Sequence, residues 1–456
     1  MPSNSDSGST PGSSAASDAS SAEQGIEQQG IQQQGIQQQS RQQQSAPRGE
    51  AKAVEKVHDF AGKLQQPSLW PKVVDYVRWQ RALRKAQRDG KQLPEMPDIA
   101  PLSINLDLTT ACNYACDHCI DWDILNSKEK HADDQLRASI ARMAERGLRS
   151  VILIGGGEPT LYPGFVDFVA FLKGLSLSVS VVTNGSRGDR ILQAAPHFSK
   201  GDWVRLSLDS GSNDVFQRMH HPSKKSLTLD EICSWTPKIK AANPDLQMGY
   251  SFVITWVGGS RGEVKIVENI HEMVSASQRA SDAMFDYISF KPFLERQEDG
   301  AEVMDPAKSE AEMQAVVARV QKNLEEARAS VRGDFKVLAS TNLRVLMSAT
   351  WKDYTRQPKV CHMQMLRQVV TPLGTYNCPA HRGVEKAKLG DKDLWAVPPA
   401  GQHDTTRLLR DFDASVECGE VTCLYNSTNW WLEELVNASV ELPDEAPGVE
   451  QQDWFL

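Results

Sequence analysis

Cys112, Cys116 and Cys119 lie in the stretch Cys-Asn-Tyr-Ala-Cys-Asp-His-Cys, a C-x3-C-x2-C spacing directly after the alternating apolar run 103–108. Three thiolates on one short loop can hold three irons of a [4Fe–4S] cube and leave the fourth iron without a protein ligand. An open iron can bind a small molecule, whereas a cluster with four cysteine ligands mainly carries electrons. A zinc site or buried free thiols are the other readings. Zinc usually takes paired C-x2-C knuckles; here one arm is x3 and no second pair lies nearby. A second group, Cys361, Cys378, Cys418 and Cys423, is separated by 16, 39 and 4 residues. Gly374, just upstream of Cys378, reads as a hairpin turn with a returning strand. Cys233 stands alone in a helical stretch and reads as a core thiol.

Three more segments could do chemistry. Gly155-Gly156-Gly157-Glu158-Pro159-Thr160 combines glycines, which let backbone approach a ligand closely, with a carboxylate able to accept bonds from an ammonium. It is not a Walker loop, because the Gly-Lys-Ser/Thr ending is missing. Thr183-Asn184-Gly185 and Ser207-Leu208-Asp209 close two apolar runs; alone they would be a turn and a cap. His118 falls between the second and third cysteines, where an imidazole can stack; iron ligation by His118 is disfavoured because the three cysteines suffice. Tyr250, Lys291 and Arg382 are candidate substrate contacts, with solvated or ion-paired surface residues as the ordinary reading.

The elements that must position these residues alternate in kind. Strand patterns fall at 103–108, 150–154, 178–183, 203–208, 247–256 and 286–292. Helical patterns fall at 134–146, 164–174, 188–196, 228–242 and 263–278, with Asp133 as an expected N-cap and Gly147 as a C-terminal stop. Six strands with helical crossovers predict a parallel sheet. Each candidate segment then stands at a strand end. Residues 51–100 predict a helical lead-in, and 305–331 an amphipathic helix within a helical connector, 301–355. Residues 356–430 hold the second cysteine group, and the aromatic end, 431–456, predicts a docking segment. Residues 1–50 are Ser-, Gly- and Gln-rich, with Gln-Gly-Ile repeated at 24, 29 and 34. They cannot bury enough apolar surface to order and predict a disordered tail.

The 456 residues carry 40% hydrophobic and 24% charged side chains and a net charge of -9. This balance gives no support for a nucleic-acid partner. No apolar run is long enough for a membrane span and no signal-peptide layout opens the chain, which predicts a cytoplasmic protein. Thiols stay reduced there, so clustered cysteines suggest metal or redox chemistry.

The cysteine loop followed by Gly156-Gly157-Glu158-Pro159 resembles the signature of the radical SAM superfamily over roughly residues 100–295. The resemblance implies a partial (β/α)6 TIM-type barrel over 101–300. It also implies an S-adenosylmethionine (SAM)-binding [4Fe–4S] cluster on Cys112, Cys116 and Cys119. By the same resemblance Glu158 would meet the methionine amine, with Gly156, Gly157 and Pro159 around it. Thr183, Asn184, Ser207 and Asp209 would line the cofactor, and His118 would stack beside adenine. Cys361, Cys378, Cys418 and Cys423 resemble a twitch domain, the shortened relative of SPASM, which implies a small C-terminal α+β domain with an auxiliary [4Fe–4S] cluster. The final C-x4-C departs from the commoner C-x2-C. The implied activity is reductive cleavage of SAM to a 5'-deoxyadenosyl radical that takes hydrogen from a substrate, with a reductant such as flavodoxin or ferredoxin. Oxidation of a small molecule, with the auxiliary cluster as electron acceptor, is the first reading. Maturation of a ribosomal peptide or protein is the second. A non-catalytic, zinc-stabilised binding protein is the reading from another class.

Overall fold

A computed structural model describes residues 59–258, 260–297, 302–303, 310–396 and 405–456. The expected tail, 1–50, lies outside the described residues. Fourteen strands follow in chain order. They are β1 (Ser103–Leu106), β2 (Ser150–Leu153), β3 (Ser178–Thr183), β4 (Trp203–Ser207), β5 (Gln247–Ile254), β6 (Ser260–Arg261) and β7 (Val264–Lys265). Then come β8 (Tyr287–Pro292), β9 (Glu295–Arg296), β10 (Glu302–Val303), β11 (Lys336–Ala339), β12 (Arg367–Thr371), β13 (Gly374–Tyr376) and β14 (Lys388–Gly390). One open sheet runs β11-β8-β5-β4-β3-β2-β1-β12-β13-β14. Every pairing from β11 through to β12 is parallel, and β12-β13-β14 is antiparallel. This is the parallel-rich, open sheet of a partial barrel, with the six expected strands at its centre.

Alternation along each strand separates two faces. Ile104, Leu106, Val151, Leu153, Val179, Val181, Val204, Leu206, Met248, Phe252, Ile288 and Phe290 all enter one apolar core beneath the crossover helices. The opposite, inner face carries Ser103, Asn105, Ser180, Arg205, Ser207, Ser251, Ser289 and Lys291. At the N-terminal strand ends the chain terminus lies on this face. The Trp454 carbonyl accepts from Ser150 Oγ at 2.7 Å, and the Phe455 ring is 5.7 Å from Trp203.

Several elements differ from the sequence reading for local reasons. The connector contains the helix Glu310–Ser330 but also β11, whose four residues are too short to show a pattern. The helix after Ala132 begins at Asp133 itself, with no side-chain cap; Asp133 and Asp134 lie in its first turn, where carboxylates favour the helix dipole. The 228–242 helix is two, Leu229–Cys233 and Trp235–Ala242, because Pro237 has no N–H to continue the first ladder. The 263–278 pattern is a β6–β7 hairpin turning at Gly262 (φ +56°) before the helix Met273–Asp282. The helix Asn213–His220, capped by Ser212, has no counterpart in the sequence reading.

The lead-in helix Trp70–Arg88 buries Trp70, Val73, Val74, Val77 and Leu83 in a second core shared with the helix Asn426–Asn437. Polar groups fix the register. Arg84 donates to both Glu433 oxygens at 2.9 and 2.7 Å, His362 Nε2 lies 2.8 Å from Glu433, and His362 Nδ1 lies 2.6 Å from Tyr76 Oη. Burial would push the Glu433 carboxyl pKa up, but the bonds from His362 and Arg84 outweigh it and hold it well below the usual range. A depressed folded pKa contributes stability above the unfolded value and loses it as pH falls. Glu433→Gln is therefore expected to lower the melting temperature most near neutral pH and least near about pH 3. An equal deficit at every pH would contradict this.

Candidate active site

The parallel register brings the ends of β1, β2, β3 and β4 to one side, where such sheets place their site loops. The cysteine loop leaves β1 and packs directly on the glycine turn after β2. Glu158 N donates to Ala111 O at 2.8 Å. A Cβ on Gly157 would stand 2.5 Å from Thr109 O and 2.6 Å from Ala111 O, so glycine is required there. From the other side, Ala115 N and Asp117 N donate to His220 O and Met219 O at 3.1 and 3.0 Å. The unforeseen helix Asn213–His220 thus holds the loop. Cys112 N donates to Asn126 Oδ1 at 2.9 Å.

The three thiols are free and partly exposed. Burial pushes Cys112 up to about 11 and Cys119 up to about 12; for Cys116, burial and then the charges of Cys119 and Cys112 act together. Mutually repelling thiolates in a desolvated loop are stabilised by a bound cationic centre. Among the described residues, the set of three His, Cys or carboxylate donors within 4.8 Å of one another is His118, Asp209 and His220. The cysteine sulfurs are spread wider than the roughly 3.8 Å that tetrahedral zinc with 2.3 Å bonds requires. In a cube each sulfur binds its own iron, so the sulfurs stand farther apart than around one zinc ion.

The Glu158 carboxylate is anchored by the two neighbouring strand ends. Its carboxylate is 2% exposed and accepts from Thr160 N, Thr160 Oγ1, Thr183 Oγ1 and Asn184 N. It ties the second strand end to the third, with Pro159 buried beside it. Asn184 continues the tie, donating to Asn113 Oδ1 at 2.9 Å. Asp209 (φ +49°) accepts from Val253 N at 2.6 Å and pairs with His118 Nε2 at 2.9 Å. His118 is thereby pinned, edge-on to His220 at 5.1 Å, and His220 Nδ1 lies 3.2 Å from Cys116 Sγ. Ser207 stands on the inner face below this group.

The four remaining site cysteines also gather. Cys361 precedes the turn leading into β12, Cys378 follows β13, and Cys418 and Cys423 flank the gap between Ala414–Glu417 and Asn426–Asn437. Burial and then the charges of Cys361, Cys378 and Cys423 push the Cys418 thiol well up. The two groups are joined by Arg382, four residues after Cys378 and 4% exposed. Its Nη1 donates to both oxygens of Asp121 at 2.9 and 2.7 Å, and its Nε lies 3.3 Å from Asp107 Oδ2. Asp121 is two residues after Cys119. Arg296 Nη2 donates to the Arg382 carbonyl at 2.8 Å and pairs with Asp123 at 3.2 Å. Arg382 is therefore an internal tie rather than an exposed substrate contact. Tyr250 is likewise withdrawn: it lies on the core face with its hydroxyl on Ser210 O. Lys291 does face inward. Asp107, Asp121, Asn113 and His220 were missed; Asp107 was within reach, since alternation from Ile104 and Leu106 turns it inward.

Asp107 is 1% exposed; burial first, then Asp121, push its carboxyl up to about 7 against the pull of Arg382. With a folded pKa above the unfolded 3.8, this group loses stability as pH rises between the two values. Asp107→Asn is expected to equal the native protein near about pH 4 and to exceed it near about pH 7 in unfolding free energy; a deficit that grows with pH would reverse the sign. Arg382→Ala, which strands two buried carboxylates, is expected to cost about 3–5 kcal/mol in urea unfolding. Glu158→Gln sets an amide N–H₂ against at least one of these donors and should cost about 1–3 kcal/mol with the iron content of the reconstituted protein unchanged.

Residues 106–243 match the Radical SAM superfamily. The S-adenosylmethionine-dependent nucleotide dehydratase of Selenomonas ruminantium is 28% identical over 160 residues, covering 33% of this chain and 56% of that protein. The mycofactocin maturase MftC of Mycobacterium tuberculosis is 31% identical over 118 residues, covering 25% and 29%. The chain spans about half the length of the dehydratases it matches, and less of the maturases. Streptococcus suis SuiB bound to S-adenosylmethionine superposes with TM-score 0.47 at 13% identity over 70% of each chain. Among the described residues no helix is long and apolar enough to cross a membrane. The Radical SAM match runs from the end of β1 to the end of the helix before β5, the part of the chain that carries the first cysteine loop, the glycine turn, Asp209 and His220, and it implies a [4Fe–4S] cluster and S-adenosylmethionine as cofactors.

Proposed function

We propose that this protein is a radical SAM enzyme that removes hydrogen from a peptide or protein substrate, with a second [4Fe–4S] cluster on Cys361, Cys378, Cys418 and Cys423. The carrying observation is the Arg382 tie, which couples the segment after Cys378 to the segment after Cys119 through buried charge. When bound, the first cluster and SAM supply a hydrogen-abstracting radical. The chain's own part is positional. Cys112, Cys116 and Cys119 hold the cluster, Gly155–Gly157 offer backbone to the methionine end, and Asp209 and Glu158 lock the surrounding turns. The similarity to MftC supports the peptide reading. A small molecule is the second reading, favoured by the polar inner face with Arg205 and Lys291 and by the similarity to nucleotide dehydratases. Reduced thiols in both groups suit a cytoplasmic protein served by a flavodoxin- or ferredoxin-type reductant.

Anaerobic reconstitution with iron and sulfide analysis tests this. About eight irons per chain are expected, by the four-iron count of each cube. Replacing Cys112, Cys116 and Cys119 with Ala should remove about half the iron and all 5'-deoxyadenosine formation. Cys378→Ala should lower iron yet leave 5'-deoxyadenosine formation in place. Cleavage surviving the triple change would refute the first site, and zinc on the intact second group would refute the auxiliary cluster.

A further inference from the structure

The inner face carries two cations that the proposed chemistry does not use. Arg205 on β4 and Lys291 on β8 point the same way, one strand apart across β5. In the register, Arg205 stands level with Gly249 and Tyr287, and Lys291 with Val253. Between these rows lies a third, made of Ser207, Ser251 and Ser289. Rows two residues apart are about 6.6 Å apart along the strands, so both long side chains can reach the serine row from opposite sides.

None of these groups is satisfied by a described residue. Neither cation makes an ion pair or hydrogen bond with another described residue, and Arg205 Nε is buried without a partner. Arg205 rests against the Trp203 ring at 5.1 Å. The three serine hydroxyls likewise make no hydrogen bond to a described group. The titratable groups facing the pair are Asp209, already held by His118 and Val253 N, and Tyr287. The Tyr287 ring lies over Gly249, where a Cβ would come within 2.4 Å of its hydroxyl oxygen, so the glycine makes room for it. Two uncompensated cations held close together in a partly exposed cleft are unfavourable unless an anion joins them. Burial, then Arg205, holds the Lys291 ammonium pKa well below its usual value.

We propose that Arg205 and Lys291, with Ser251 and Ser289 between them, form an anion subsite that grips a carboxylate or phosphate group of the substrate below the cofactor loops. By register, a tetrahedral or planar oxyanion on the hydroxyl row would have one cation on each side along the strands, with Arg205 swinging up from the Trp203 ring. The subsite rests on the reading of the inner face as substrate space.

Binding of inorganic tripolyphosphate and of glutarate to the full-length, reconstituted enzyme, by calorimetry at matched ionic strength, is the test. At least one is expected to bind, with affinity lowered about tenfold in Arg205→Gln and in Lys291→Gln and largely kept in Lys291→Arg. SAM affinity and iron content should be unchanged in all three. Preference for tripolyphosphate would indicate a phosphorylated substrate, and preference for glutarate an acidic side chain or terminus. No binding of either anion to the native enzyme, binding insensitive to Lys291→Gln, or SAM affinity falling in step with the anion would overturn the proposal. Failure of the radical SAM reading would instead show as native enzyme that forms no 5'-deoxyadenosine.

Discussion

The pairing of β1 with β2 on one side and with β12 on the other decides where both cysteine groups stand. Because β1 and β2 are parallel and in register from Ser103–Ser150 to Leu106–Leu153, the cysteine loop and the glycine turn leave the sheet together and interlock. Because β12 pairs with β1 from Ser103–Arg367 to Leu106–Val370, the C-terminal segment joins the sheet on the same strand that launches the first cysteine loop. A one-residue slip would turn Asp107 into the core and send Leu106 to the inner face. The apolar row Ile104, Leu106, Val151 and Leu153 makes that slip unfavourable.

Charge completes what register begins. Arg382, Arg296, Asp107, Asp121 and Asp123 place two guanidinium groups among three carboxylates, of which Asp107 and Asp121 are buried and Asp123 is exposed. Arginine suits this position because its planar fork addresses Asp121 with one nitrogen while Nε faces Asp107; a lysine has one point of charge. Buried networks of this kind are weak sources of stability but strong constraints on geometry once formed. The charge count leaves one carboxylate short of a partner, consistent with Asp107 holding its proton near neutrality.

Legibility tracked how local each feature is. The strand-end segments were visible as short runs of residues with chemistry of their own, and the strands as apolar alternation. What escaped depended on distant contacts. His220 sits on an eight-residue helix with too few turns to show a period, and its role comes from touching Cys116, 104 residues away. Arg382 read as a surface cation because its partners lie 261 residues upstream. The bonds of Glu158 to Thr183 and Asn184 were also out of reach, since both partners come from the next strand end. The β12 strand was missed as part of the sheet because its partner, β1, lies at the far end of the barrel sequence.

The central claim is that one cysteine group leaves an iron open to SAM while the other does not. The most direct measurement is electron paramagnetic resonance of the reduced, reconstituted protein with and without SAM. The account expects two cluster signals, of which one shifts on SAM addition and disappears when Cys112, Cys116 and Cys119 are replaced. A spectrum unchanged by SAM, with iron bound, would contradict it.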